Sequence, residues 1–134
     1  MSAVLVASAL ETALNNMSPP LATAWENAPF TPTQGTPYQA VTVLLAQPAN
    51  DEFGPVYREE GFFQIDFKYP LGAGKGDAIT REELIRTTFP RGASFTASGV
   101  TVNIERTPEI MPGRTEPDRF VIPVRIRFYA HIGD

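Results

Sequence analysis

The stretch YPLGAGKGDAIT, residues 69–80, has the residue types with which proteins hold phosphates: glycines and a lysine between a strand-like and a helix-like run. A Walker loop needs Ser or Thr directly after Gly-Lys, because that hydroxyl binds magnesium. Here Gly74-Lys75 is followed by Gly76, and no glycine lies at the required upstream spacing. A dinucleotide loop is G-x-G-x-x-G, and here the third glycine comes one residue early. The segment therefore reads as a strand-to-helix connector. A small nucleotide- or anion-binding module using Gly72 to Gly76 is the alternative from a different functional class.

Other reactive groups are sparse. His131 is the single histidine and there is no cysteine, so a triad, a histidine-rich metal site and thiolate chemistry find no material. Carboxylates come as Asp51/Glu52, Glu59/Glu60, Glu82/Glu83 and Glu116/Asp118. Catalytic carboxylates must face each other across a cleft, whereas adjacent residues on a strand or loop point apart. These doublets read as solvated surface, with a divalent ion on the 51–60 loop left open. No catalytic, cofactor-binding or metal-binding residue is assigned, and no cofactor is expected. Arg125 and Arg127 share one strand face; Arg91, Arg106, Arg114 and Arg119 lie in or near loops. Arginine suits protein interfaces because its planar fork pairs with carboxylates. Trp25, Phe30 and Tyr38 surround a proline-rich connection and read as packing it onto the core.

The elements that must position these groups follow from periodicity. The chain has 134 residues, a normal length for one domain, and a net charge of −4. An acidic chain gives no reason to expect sequence-specific nucleic-acid binding. No apolar stretch approaches the roughly 20 residues that span a bilayer, and no signal peptide or membrane partner is expected. Residues 2–17 place Ala3, Val6, Leu10, Ala13, Leu14 and Met17 at helical spacing, with Ser2 as N-cap and Pro19-Pro20 as stop. A short strand is expected near residues 24–26 and a longer one over 38–46. Residues 62–70 alternate, with Phe63, Ile65, Phe67 and Tyr69 on one face. Residues 80–89 read as a second helix opened by a Thr80–Glu83 capping box. Residues 93–105 read as a hairpin turning at Ser98-Gly99. Residues 119–132 read as a closing strand, at a sheet edge or bulged at Pro123, because proline cannot donate to a ladder. Two long loops are expected, about 47–61 and 106–119, the second with a short strand before Pro112. The whole chain, 1–134, is thus a single α+β domain: a mostly antiparallel, possibly mixed β-sheet with two α-helices packed on one face.

Four segments, in order, carry a resemblance: AWENAPFTPTQGTPY (24–38), GFFQIDFKYPLGAGKG (61–76), FPRGASFTASGVTVNI (89–104) and VIPVRIRF (121–128). Together they resemble a family of small tailed-bacteriophage and prophage minor tail proteins akin to tail terminators. The resemblance implies an α+β subunit of a homo-oligomeric ring, typically a hexamer. Such a ring caps the tail tube, stops its polymerisation and offers a surface to a head-completion or connector protein. It implies no enzyme activity, and a place in the virion tail after assembly in the bacterial host cytoplasm. A head–tail connector or neck subunit is the neighbouring alternative. Interface candidates come from this sequence alone: Phe53, Tyr57, Lys75, Arg114 and Arg119, as aromatic and cationic side chains on polar loops.

Overall fold

A computed structural model describes residues 2–17, 21–26, 28–32, 35–48, 50, 57–72 and 76–132. Its spine is a pair of long antiparallel strands, β3 (Tyr57–Pro70) and β8 (Arg119–Ile132), matched along their whole length from Tyr57↔Ile132 to Pro70↔Arg119. On one side of β3 lies β2 (Tyr38–Leu45), antiparallel, and beyond it β1 (Ala22–Ala24), parallel to β2. On the far side of β8 lie β5 (Val100–Ile104) and then β4 (Ser94–Ala97). Two short strands, β6 (Glu109–Ile110) and β7 (Arg114–Thr115), flank β8 near its start. The result is one mixed, curled sheet with α1 (Ser2–Asn15) and α2 (Gly76–Thr88) on a single face, an α+β domain as the sequence predicts.

Strict alternation makes that face. Phe63, Ile65, Phe67 and Tyr69 of β3 stand opposite Ile126, Val124, Ile122 and Phe120 of β8. All but the half-buried Phe120 are buried. Val6, Ala9, Leu10 and Leu14 of α1 and Ala78 and Ile85 of α2 cover them, so both helices spend their apolar stripes on one core. Phe89, just past α2, links the layers, with ring centroids 6.1 Å from Phe63 and 5.3 Å from Phe95. The hairpin turn sits at Ser98 and Gly99, both at positive φ, the backbone a two-residue loop needs to follow the twist of its strands.

Several expectations need correction. β8 lies between β3 and β5 and is not an edge strand. Pro123 is tolerated there because an antiparallel residue aims its N–H and C=O to the same side. The Pro123 carbonyl accepts from the Met111 amide, so its missing donor faces the gap between β6 and β7, where no ladder runs. The 47–61 loop is shorter than expected. Tyr57 to Gly61 continue β3, because β8 runs to Ile132 and offers a partner at every position. In the 106–119 loop, β6 is the short strand expected before Pro112, and β7 is a second, unexpected one. β1 occupies residues 22–24 rather than 24–26. Thr80 is no cap: α2 starts at Gly76, and the Thr80 hydroxyl donates back to the Gly76 carbonyl at 3.1 Å. Burying Ala78 draws the extra turn into the helix, as packing outweighs local signals. α1 runs Ser2–Asn15, so it stops short of Met17 and takes in Ser2, the expected cap; Pro19-Pro20 and the Ser2 and Ala3 side chains lie outside the described residues.

Candidate functional site

The sheet face opposite the helices carries the polar partners of the core residues. Arg58 is its hub. It pairs with Glu60 at 3.1 Å and Glu105 at 3.4 Å, and its guanidinium lies 4.3 Å from the Tyr129 ring centre. Glu105 also takes Arg127 at 3.5 Å. The Phe62 ring has Arg125 and Arg127 at 5.5 and 5.6 Å, and the Arg125 Nε donates to the Gln64 amide oxygen at 3.0 Å. Isolated exposed pairs contribute little, but a network that shares carboxylates and rings holds its side chains in place. Arg125 and Arg127 do share the face opposite the core, as their alternation implies.

At the other end of this face the proline-rich connection packs down. Phe30 meets Tyr38 at 5.1 Å, and the Arg119 guanidinium lies 5.0 Å from the Tyr38 ring centre. Trp25 parts from these two. It packs on the core side and lines a groove with Val4 and Glu11 of α1. The expected three-ring cluster is therefore two rings, Phe30 with Tyr38, while Trp25 packs on the core.

The predicted contact residues fall in different places. Tyr57 is half-buried at the start of β3, opposite Ile132. Arg114 is exposed on β7, 3.2 Å from Glu116. Arg119 is buried and donates to the Thr36 carbonyl within the subunit. Phe53, Lys75 and the Asp51/Glu52 doublet lie outside the described residues, as do Gly74 and Ala73 of the glycine loop. Among the described residues no three His, Cys, Asp or Glu side chains are grouped to hold a metal ion. No helix among them is long and apolar enough to cross a membrane.

Sequence reading passed over Glu11. Burial, and then the nearby Glu26 carboxylate, push its carboxyl above the ordinary glutamate range. A raised folded-state pKa means the folded chain binds the proton more readily than the unfolded one. Stability is then lost as pH rises from about 4.3, the unperturbed value, through the higher folded value. Glu11→Gln is expected to raise the melting temperature of the dilute subunit at pH 7. That gain should shrink to nothing below about pH 4, where Glu11 is protonated in both states. Calorimetry of both proteins across pH checks the sign; an equal or growing gain at low pH would contradict it.

Comparison with known proteins bears on this architecture. The description phage tail terminator protein belongs to a family whose model matches residues 5–128. A solved structure, carrying only a sequence designation, superposes with a TM-score of 0.81. It covers 100% of this chain and 99% of that one at 22% identity, and so speaks to the fold alone. No curated protein matches. The family match over nearly the whole chain makes it a structural phage tail component. The chain belongs to the phage tail terminator family.

Proposed function

We propose that this chain acts as a tail terminator by forming a homo-oligomeric ring, a hexamer, that caps the tail tube and stops its growth. The exposed end of the ring then receives a head-completion or connector protein, and assembly takes place in the bacterial host cytoplasm. The observation that carries the reading is the family match over residues 5–128. The subunit's form supports it. Its sheet ends in two different open edges, β1–β2 and β4, and unlike surfaces on one subunit generate rings when the rotation closes. Tyr57, Arg114, Phe53 and Lys75 are proposed contact residues.

Light scattering on a sizing column, followed by electron microscopy of the peak, tests the ring. The expected result is a closed particle of about six subunit masses that binds isolated tail tubes. A chain that stays monomeric at high concentration with tubes present would overturn the proposal. Binding to portal complexes in preference to tubes would transfer the chain to a neck role.

A further inference from the structure

Two surfaces, one by the β1–β2 edge of the sheet and one by the β4 edge, lie on the two flanks of α1 and are unlike in shape and charge. At the first end, β1 covers only the start of β2. The outer side of the remainder is met by a side chain: the Val43 amide donates to the Glu26 carboxylate at 3.1 Å. Leu44 and Leu45 beside it are 42% and 45% exposed, and Val4 of α1 is 60% exposed. Glu26 is close enough to Glu11 for the two carboxylates to repel. Neither has a cationic partner among the described residues. This end is an apolar ridge edged with unpaired negative charge.

The second end is its complement. α1 and the open edge of β4 enclose a groove whose apolar lining includes Ala9, Ala13, Met17, Phe95 and Ala97. Arg91 lies in the turn between Thr88 and Ser94, both of which line that groove. Arg91 lines a second cleft together with Arg106, Thr107 and Glu105, whose carboxylate is already taken by Arg58 and Arg127. Arg91 and Arg106 are both exposed and without a carboxylate partner among the described residues. Most other arginines of the sheet are already engaged: Arg58 and Arg127 with Glu105, Arg114 with Glu116, Arg125 with Gln64.

We propose that the α1–β4 groove with Arg91 and Arg106 receives, from a second copy of this chain, the Leu44–Leu45 ridge with Glu11 and Glu26. This rests on the ring reading and names its contact. An occupant of the groove must bring apolar bulk and negative charge together, and the β1–β2 side of the same subunit presents that combination. The contact is heterologous, so each copy uses both ends and the chain of contacts can close. Apolar cores with charged rims are the ordinary make-up of such interfaces, and the charges fix which ends meet.

Charge reversal tests it. Arg91→Glu with Arg106→Glu forms one variant and Glu11→Lys the other, each checked for native circular dichroism. Sedimentation velocity is run on wild type, each variant and an equimolar mixture. Wild type is expected to associate, more weakly as salt rises. Each variant alone should dissociate at least tenfold more readily, and the mixture should recover part of the lost association, since an alternating ring sets each reversed groove against a ridge reversed at Glu11. Thr96→Arg, an exposed change on the groove rim, should weaken association without rescue and guards against a misfolded Glu11→Lys. Wild type and all variants associating alike would overturn this contact and leave the ring standing. Wild type monomeric at every concentration would overturn both.

Discussion

Replacing Gly61 by alanine should lower stability by about 3 kcal/mol, the upper part of the usual range for forcing atoms into a filled site. Gly61 sits in β3 between Leu45 of β2 and Phe128 of β8. A Cβ there would run into the Leu44 carbonyl oxygen and carbon and the Leu45 Cα, all of them backbone. Side chains can rotate away from a new methyl; a hydrogen-bonded strand cannot. The Glu60 carbonyl accepts from the Ala46 amide at 2.8 Å, which pins the two strands together at this point. Relief would mean breaking the β2–β3 pairing at the end where Leu44 and Leu45 are displayed. Gly113 is the control. There an added Cβ meets the Phe120 ring, a half-buried side chain that can turn. Gly113→Ala should therefore cost well under half as much. For a domain of this size the Gly61 change corresponds to a fall of about 10 °C in melting temperature. Equal melting points for the two variants would show that the strands yield at Gly61.

Gly61 also illustrates which parts of the fold the sequence displays. Alternation in residues 62–70 reveals the buried face of β3, and helical spacing reveals α1, because each pattern is the direct trace of one side facing the core. Ser98-Gly99 reveals its hairpin, since positive φ at both positions restricts the residue choice. Tyr57 to Glu60 conceal their strand. Their charges look like loop composition, yet Arg58 and Glu60 point outward into a paired network while only Glu59 turns inward. That distinction depends on β8, more than sixty residues away in sequence. Pro123 misleads for a related reason. It forbids a ladder bond on one side only, and which side is open is a property of the whole sheet. Thr80 carries a cap signature, but Ala78 finds a place in the core and takes the helix past it. The candidate contact surfaces were less visible still. Glu11 and Arg106 share no motif; one lies on α1 and the other just past β5, and nothing in the sequence links the two segments.

Arg119→Ala should destabilise the subunit by about 2 kcal/mol, in the range for a hydrogen bond from a charged group whose partner is then left unsatisfied. As a cation beside a loop, Arg119 reads as an interface residue. Its surroundings give it an internal task. It opens β8 opposite Pro70, is 6% exposed, and sends its Nη1 to the Thr36 carbonyl on the proline-rich connection. Its guanidinium also faces the Tyr38 ring at 5.0 Å, and that ring in turn meets Phe30. One side chain thus holds the connection against the outer sheet face. The Thr36 contact needs a donor that reaches across the strand ends, and the ring contact needs a flat cation. Lysine supplies a point charge on a flexible stem and can meet only the first demand with ease. Arg119→Lys should therefore recover less than half of the loss, whereas a simple surface charge would be restored in full. Hydrogen exchange locates the effect: amides around residues 28–37 should lose protection in Arg119→Ala while those of central β3 keep theirs. Unchanged exchange in that segment, or full rescue by lysine, would return Arg119 to the surface role its sequence position suggests. If the connection does loosen, Tyr38 and the start of β2 loosen with it, and the β1–β2 end of the sheet loses its fixed shape. Arg119 would then bear on assembly indirectly, by shaping one of the two ends through which subunits are proposed to meet.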